Sequence, residues 1–307
     1  IFIMCGIFGT FKNENTISFT EYFKDIGIKS ESRGKEASGY LYDSRNKIEI
    51  YKSPRKFSDK INLKHLNKLI KQEVYSNFLI GHTRLKTEGD ESNPINNQPC
   101  ELNEYILVHN GIITNHNEIK ERSNSSHLEL DSYAILNTLE SDNKKINFVD
   151  NFIQSLNELK GEITICLFSK KENSFILYTN TGSIYLLVSK KNEIKYFASE
   201  RWILEEYVNS DYSIVQLKAF NGLLVNQNGK ISREFKAIPD GKENIYIDLD
   251  EIKLKFYKKK IEIPLIKRCQ KCILPETVPF INFNKEGVCN FCQNHQLIPK
   301  KDINEFI

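Results

Sequence analysis

The fold is decided by a short apolar stretch near the start of the chain, Cys5-Gly-Ile-Phe-Gly-Thr-Phe11. Its small and apolar residues carry no charge, which predicts a buried strand. The residue before it, Met4, is the single methionine of the sequence. We therefore expect that the protein starts at Met4, that residues 1–3 are an upstream extension, and that removal of Met4 leaves Cys5 as the mature N-terminus.

A cysteine at a free N-terminus can supply both a nucleophile and its base. An α-amine titrates near about 7.7–8.0, so a useful fraction is unprotonated at neutral pH and can take the proton of the Cys5 thiol. The thiolate is the reactive form of the side chain. Taken alone, Cys5 fits a small buried strand residue better than a nucleophile, so the interpretation depends on the polar motifs that follow.

Three polar motifs interrupt the apolar pattern: Arg33-Gly-Lys-Glu-Ala-Ser-Gly39, Gly81-His-Thr-Arg-Leu-Lys-Thr-Glu-Gly89 and His109-Asn-Gly-Ile-Ile113. The last two follow strand-like runs at residues 78–80 and 105–108. With the Cys5 stretch and Leu128-Glu-Leu-Asp131-Ser132, they resemble, in order, the motifs of the class II glutamine amidotransferases, which are N-terminal-nucleophile hydrolases. The resemblance covers residues 5–230, and it is strongest to the glutaminase domain of the glucosamine-6-phosphate synthases.

The resemblance implies catalytic roles for three residues. Cys5 would be the nucleophile, while the side chain of Asn110 and the backbone N–H of Gly111 would stabilise the developing oxyanion. The alternative for the Asn-Gly pair is a plain hairpin turn. Because the α-amine already provides a base, we predict that His82 and His109 are structural.

The resemblance also implies how free glutamine is bound. Arg84 offers a bidentate fork for the α-carboxylate, Asp131 offers an anion for the α-ammonium group, and Thr87 would add contacts near the carboxylate. The alternative for Arg84 is a surface salt bridge. Arg33 and Gly34 would be framework residues that position the strand carrying the nucleophile.

The sequence departs from the family pattern at three positions. Leu85 stands where tryptophan is usual, Glu88 where histidine is usual, and Tyr133 where an acidic residue is usual. Hydrolysis of glutamine is expected to survive these changes. The identity of the ammonia acceptor does not carry over.

The order of predicted elements indicates an α+β fold. Helices are predicted at residues 19–28, 63–70, after Asp131 and at 148–159, with Gly161 placed to end the last; strands are predicted at 163–169, 175–179, 184–189, 196–198 and 213–225. Two strand-rich blocks separated by helices predict sheet packed on sheet. The resemblance implies a four-layer αββα sandwich of the N-terminal-nucleophile hydrolase type.

Four of the seven cysteines form a cluster near the end of the sequence, Cys269-x2-Cys272-x16-Cys289-x2-Cys292. This spacing is typical of a zinc ribbon, in which two Cys-x2-Cys pairs hold one structural zinc ion. The alternatives are four reduced thiols or an iron–sulfur cluster. The remaining cysteines are scattered, which argues against a disulfide scaffold and favours a reducing compartment.

The segment from Cys269 to Cys292 also resembles the start of the N-acetyl sugar amidotransferase family, whose members are similar to ATP pyrophosphatases. That family needs a Ser/Gly-rich pyrophosphate loop, which the sequence lacks. We therefore expect a glutaminase domain at residues 5–235, a linker at 236–265, and a zinc-ribbon-like segment at 266–307 that begins a truncated synthetase domain. ATP and magnesium would bind only in the missing downstream part.

Charge and hydropathy argue against several functional classes. A net charge of +3 is too small to indicate a nucleic-acid partner. No apolar run approaches the length of about 18 residues needed to span a bilayer. We expect a cytoplasmic enzyme without a nucleic-acid or membrane partner, and a homodimer is left open.

The predicted function is hydrolysis of glutamine to glutamate and ammonia through a Cys5 thioester, with the ammonia supplied to an ATP-dependent sugar amidotransferase. The expected partners are glutamine and an ammonia-accepting sugar. One alternative is the glutaminase part of a glucosamine-phosphate or asparagine-type synthase. Another is a non-catalytic glutaminase-like module whose zinc ribbon serves assembly.

Overall fold

The structure is a computed structural model that describes residues 5–12, 19–44, 47–71, 77–86, 89–141, 146–191, 193–239, 266–278 and 280–295. Contacts divide the chain into two compact units, Ile1–Tyr246 and Ile247–Ile307. The first unit carries the motifs from Cys5 to Asp131, and the second carries the cysteine cluster. From residue 240 onward, the predicted linker lies outside the described residues.

The first unit is built on two antiparallel sheets. Its strands are β1 (Gly6–Phe11), β2 (Ala37–Ser44), β3 (Lys47–Ser53), β4 (Phe78–Arg84), β5 (Cys100–Leu102), β6 (Tyr105–Ile113), β7 (Gly161–Ser169), β8 (Ser174–Thr179), β9 (Ile184–Ser189), β10 (Ile194–Ala198), β11 (Tyr212–Leu217), β12 (Asn221–Asn226) and β13 (Ile231–Lys236). The described strands pair in the orders β11-β9-β10-β1-β4-β2-β3 and β13-β12-β8-β7-β6-β5. The stretch that carries Cys5 therefore runs at the centre of the first sheet.

Helices cover the outer faces of both sheets. In the first unit they are α1 (Phe19–Ser30), α2 (Lys60–Lys71), α3 (His116–Arg122), α4 (Ser132–Ser141) and α5 (Phe148–Leu156), with short 3-10 turns at Pro94–Asn96, Arg201–Ile203 and Glu205–Tyr207. Helices α1 and α2 pack on the first sheet, and α4 and α5 pack on the second. The layers are therefore helix, sheet, sheet and helix.

Three apolar clusters hold these layers together because strand side chains alternate between two faces. Ile7 of β1 joins Val108 of β6 and Phe175 of β8 in a cluster between the sheets. The next residue of β1, Phe8, joins the cluster beneath α1 and α2. Leu107, the neighbour of Val108, joins the cluster beneath α4 and α5. The predicted αββα sandwich is confirmed.

The structure corrects three details of the predicted elements. Residues 213–225 form two strands rather than one, since the chain turns between β11 and β12. The helix predicted at 148–159 ends at Leu156, and Gly161 begins β7 rather than ending that helix. Strands β3, β5 and β13 and helix α3 were not predicted, because they are short or have polar residues on one face. Strand β2 was also not predicted, although its first six residues are buried.

The second unit, within residues 266–278 and 280–295, is small and held mainly by turns. Isolated bridges pair Arg268 with Pro275 and Phe283 with Cys289, and helix α6 spans Asn290–Gln293. Among the described residues of the whole chain, no helix has the length and apolar character needed to cross a membrane.

Candidate active site

Cys5 lies at the amino end of β1, directly before Gly6. Its Sγ accepts a hydrogen bond from the backbone N–H of Leu85 at 3.3 Å and donates to the Leu85 carbonyl oxygen at 3.5 Å. Burial raises the pKa of the Cys5 thiol to about 11, although the Leu85 N–H and the charge of Arg84 act in the opposite direction. A thiol with this pKa is almost fully protonated at neutral pH, so it needs a base in order to react.

The two predicted framework residues contact the backbone beside the thiol. Nε of Arg33 donates to the Cys5 carbonyl oxygen at 3.4 Å, and its Nη1 pairs with the Glu200 carboxylate at 2.5 Å. A Cβ added to Gly34 would lie 2.2 Å from the carbonyl carbon and 2.3 Å from the nitrogen of the Arg84–Leu85 peptide. That peptide supplies the N–H that binds the thiol, so a side chain at position 34 would displace it.

Asn110 lies in β6 on the face that packs against the first sheet, following Ile106 and Val108. Its side chain is 1% exposed, and among the described residues neither Oδ1 nor Nδ2 has a hydrogen-bond partner. Leaving a buried polar group unsatisfied costs about 1–3 kcal/mol, so such groups are rare in folded proteins. The Asn110 amide therefore has no partner among the described residues to lose when it binds a ligand.

The backbone N–H of Gly111 points away from β7, toward the other edge of β6. Alternate residues of a strand direct their N–H groups to the same edge. On either side of Gly111, the N–H of His109 donates to Gln98 Oε1 at 2.5 Å and the N–H of Ile113 donates to Asp131 Oδ2 at 2.7 Å. The Gly111 N–H thus lies between two amides whose partners are side chains.

Only glycine fits at position 111. Its φ is +151°, and an added Cβ would lie 2.0 Å from the Glu162 carbonyl oxygen. A side chain there would clash with the backbone of β7 and would also occupy a conformation that other residues rarely adopt. The Asn-Gly pair lies within β6, so the hairpin-turn alternative is wrong.

Arg84 is the last residue of β4 and is 3% exposed. Its Nη1 donates to Asn97 Oδ1 at 3.0 Å, and its Nη2 donates to the Gly89 carbonyl oxygen at 3.1 Å. Those contacts and its burial exclude the surface salt bridge that was its alternative interpretation. Both of these acceptors, the Asn97 side chain and the Gly89 backbone, are neutral oxygen atoms.

Asp131 is 8% exposed and lies directly before α4. Its Oδ2 accepts from the Ile113 N–H, and the Ser132 hydroxyl donates to its Oδ1 at 3.4 Å. The charges of Asp131 and Arg84 both act on the Cys5 thiol, which is hydrogen-bonded to Leu85, the residue after Arg84. Thr87 and Glu88 lie outside the described residues.

The two predicted structural histidines are both buried. His109 Nε2 lies 3.1 Å from the Glu162 carbonyl oxygen and donates to it, and Nδ1 lies 3.1 Å from the Ser132 hydroxyl oxygen. Burial, together with the charge of Arg84, lowers the pKa of His82 to about 3, so its ring is neutral at physiological pH. Among the described residues, neither ring is hydrogen-bonded to the Cys5 thiol, whose partner is Leu85.

Several residues that hold the site together are not singled out by the sequence patterns. Gln98 binds both backbone groups of His109, because its Nε2 donates to the carbonyl oxygen at 3.0 Å while its Oε1 accepts from the N–H. Asn97 supports Arg84. The polar run Asn96-Asn97-Gln98 is the only signal in the sequence, and an exposed loop would show the same composition.

The four clustered cysteines of the second unit converge on one point. Their Sγ atoms all lie within 4.8 Å of one another, with 3.6 Å between Cys272 and Cys289 and 4.0 Å between Cys269 and Cys292. Burial opposes ionisation of Cys269, but backbone N–H groups, including those of Cys289 and Lys271, lower its thiol pKa to about 6. This arrangement can hold a metal ion.

Comparisons with known proteins agree with this geometry. Residues 82–206 match a family model described as a glutamine amidotransferase domain. The glutamine–fructose-6-phosphate aminotransferase (isomerizing) of Helicobacter pylori is 31% identical over 214 residues, covering 67% of this chain and 34% of that protein. The same enzyme of Buchnera aphidicola is 25% identical over 268 residues, covering 80% and 42%. The chain spans about a third of the length of the first curated relatives that it matches.

Solved structures give the same fold. The glutamine phosphoribosylpyrophosphate amidotransferase of B. subtilis superposes with a TM-score of 0.57 at 18% identity, covering 76% of this chain and 49% of that one. An allosteric regulatory enzyme of purine biosynthesis superposes with a TM-score of 0.56 at 20% identity, covering 75% and 49%. These matches show the fold, and the family model and the curated relatives show its class: the chain carries a class II glutamine amidotransferase domain.

Proposed function

We propose that the first unit hydrolyses free glutamine to glutamate and ammonia through a γ-glutamyl thioester on Cys5. The observation that carries this proposal is the buried amide of Asn110, whose two polar atoms lack partners among the described residues. An amide hydrolase needs a donor that becomes bonded only when an oxyanion forms. A non-catalytic module gains nothing from an unsatisfied buried amide, which would only lower its stability.

In the acylation step, the α-amine of Cys5, freed by removal of residues 1–4, takes the thiol proton. Sγ then attacks the carboxamide carbon of glutamine, and the oxyanion accepts hydrogen bonds from Asn110 Nδ2 and the Gly111 N–H. The α-ammonium group returns the proton to the amide nitrogen as the C–N bond breaks. Ammonia leaves and the γ-glutamyl group remains on Sγ.

In the deacylation step, the same amine takes a proton from water, whose oxygen attacks the thioester carbon. The C–S bond breaks, glutamate leaves, and the proton returns to Sγ. One water molecule is consumed per glutamine, and the enzyme returns to its starting state. The raised pKa of the thiol fits this scheme, because the proton is transferred only when substrate is in place.

Recognition of free glutamine depends on the two charges beside the thiol. The Arg84 guanidinium binds the α-carboxylate, and Asp131 Oδ1 binds the α-ammonium group. Asp131 Oδ2 is already bonded to the Ile113 N–H, which fixes the direction in which Oδ1 points. A glutamine residue within a peptide lacks both charges and is rejected.

We infer that the ammonia is transferred to a sugar in an ATP-dependent reaction carried out by a synthetase domain. Two observations support a sugar acceptor. The curated relatives are named for transfer of an amino group to fructose 6-phosphate. The segment from Cys269 to Cys292 resembles the start of the N-acetyl sugar amidotransferases. Transfer of ¹⁵N from amide-labelled glutamine to a sugar by the full-length gene product tests the inference, and transfer to aspartate instead would contradict it.

We further propose that Cys269, Cys272, Cys289 and Cys292 hold one structural zinc ion. With Zn–S bonds near about 2.3 Å, the sulfur atoms of a tetrahedral site lie about 3.8 Å apart. The separations of 3.6 Å and 4.0 Å fit that value. Metal analysis should find one zinc per chain, and Cys272→Ser should remove the metal while glutamine hydrolysis is retained. Metal-free protein purified under reducing conditions without chelator would contradict the site.

The glutaminase assay uses protein that begins at Cys5 and measures glutamate release. Cys5→Ala should abolish release, whereas Cys166→Ala, which removes a thiol buried between the sheets, should not. Hydroxylamine should divert the thioester to γ-glutamyl hydroxamate. Retention of residues 1–4 blocks the α-amine, and we expect that form to have little activity. Glutamate release that survives Cys5→Ala would overturn the proposal.

A further inference from the structure

We propose that Lys120 is a positioning residue that sets the spacing between the two charges that bind free glutamine. The inference rests on the proposed function, since it concerns binding of the amino-acid end of the substrate. Lys120 lies on α3 and is 3% exposed. Its Nζ donates to the carbonyl oxygens of Leu128 at 2.8 Å and Glu129 at 2.9 Å. It therefore contacts the segment that leads directly to Asp131.

A buried ammonium group is costly unless it is well bonded. The segment at residues 128–130 belongs to no helix or strand, so its carbonyl groups have no ladder partners. Lys120 supplies partners for the carbonyl groups of Leu128 and Glu129, while that of Leu130 accepts from the Tyr133 N–H at 3.3 Å. The Leu128 N–H donates to the Ser125 carbonyl oxygen at 2.9 Å. The ammonium and the carbonyl groups thus satisfy each other, which fixes the path of the backbone just before Asp131.

The same segment is bonded to the loop that holds Arg84. Glu129 Oε2 accepts from Asn96 Nδ2 at 2.8 Å and from the Asp90 N–H at 3.2 Å. The neighbouring residue Gly89 supplies the carbonyl oxygen that binds Arg84 Nη2. The support of Arg84 and the support of Asp131 are therefore one hydrogen-bonded unit, and Lys120 joins that unit to α3.

The two charged groups of free glutamine are separated by a fixed covalent distance. Tight binding therefore requires that Arg84 and Asp131 be held at a matching distance, within about 0.5 Å. The thiol and Asn110 are carried by β1 and β6 instead and do not depend on Lys120. Loss of the Lys120 ammonium should weaken binding of the amino-acid end and leave attack on the amide unchanged.

Lys120→Met keeps most of the aliphatic stem and removes the donor. We expect KM for glutamine to rise about 10- to 100-fold while kcat changes less than about 3-fold. Lys120→Arg keeps a cationic donor and should restore part of the lost affinity. Glu129→Ala, which cuts the bond to Asn96 without touching α3, should raise KM in the same sense. The matched control is Lys160→Met, an exposed lysine whose loss should change neither constant.

Alkylation of Cys5 separates positioning from general damage. Iodoacetamide has no amino-acid end and should modify Lys120→Met at the wild-type rate, whereas a glutamine-shaped diazoketone should react more slowly by the factor lost in kcat/KM. Equal slowing with both reagents, or an unchanged KM in Lys120→Met and Glu129→Ala, would overturn the role of Lys120. A wild-type protein that releases no glutamate would instead overturn the proposed function.

Discussion

Replacement of Asn110 by leucine should make the protein more stable and nearly inactive. Leucine has a similar volume, so it fills the space of the buried amide without leaving a large cavity. The amide that it removes has no hydrogen-bond partner among the described residues, and one unsatisfied buried polar group costs about 1–3 kcal/mol. We therefore expect Asn110→Leu to raise the free energy of unfolding by about 1–3 kcal/mol.

The same change removes one donor to the oxyanion, which should lower kcat by about 10²- to 10³-fold. KM for glutamine should change little, since Arg84 and Asp131 are untouched. Urea unfolding followed by circular dichroism gives the free energy of unfolding, and glutamate release gives kcat and KM.

Asn62 provides the matched control. It is 2% exposed, and its Nδ2 donates to Lys56 and Ser38 while its Oδ1 accepts from Tyr51. Asn62→Leu should therefore lower the free energy of unfolding by about 2 kcal/mol or more, because it leaves buried partners unsatisfied. If Asn110→Leu destabilises the protein as much as Asn62→Leu does, Asn110 is bonded in the resting enzyme and the reasoning is refuted.

Three further predictions concern charge. kcat/KM should rise with pH as the α-amine of Cys5 loses its proton, at about pH 7.7–8.0, and not near the pKa of the thiol. A rise only near pH 11 would show that the amine is not the base. Arg84→Lys keeps the charge but loses the planar fork, so KM for glutamine should rise about 10-fold or more with little change in stability. The pKa of His82 is lowered from 6.5 to about 3 on folding, so the unfolded state binds more protons below pH 6.5. Stability should fall as pH drops through that range, by about 2 kcal/mol at pH 5, and His82→Gln should lose this dependence.

Runs of apolar residues were enough to predict the strands that line the core. Residues 163–169 and 175–179 form strands as predicted, and both of their faces are buried in apolar clusters. The β2–β3 hairpin was not predicted, since β3 lies at the edge of its sheet and exposes Lys47 and Glu49. A one-sided edge strand lacks the apolar run that marks a central one.

The residues of the candidate site were predicted from motifs, each of which spans a few neighbouring residues of the sequence. Leu85, which follows Arg84, binds the Cys5 thiol, and the charges of Arg84 and Asp131 both act on that thiol. The supports were not predicted, because the bonds from Gln98 to His109 and from Glu129 to Asn96 join residues that are 11 and 33 positions apart. Nothing in the local pattern distinguishes these amides and carboxylates from those of an exposed loop.

The edge of β6 beyond β5 shows how a sheet edge can be protected without a further strand. Strand β5 pairs with β6 only from Tyr105 to Leu107. Beyond that point, Gln98 and Asp131 occupy the amides on either side of Gly111. An added strand needs a row of free amides, and the two beside Gly111 are already bonded to side chains. Gln98 and Asp131 therefore protect this edge against pairing with an extended polypeptide.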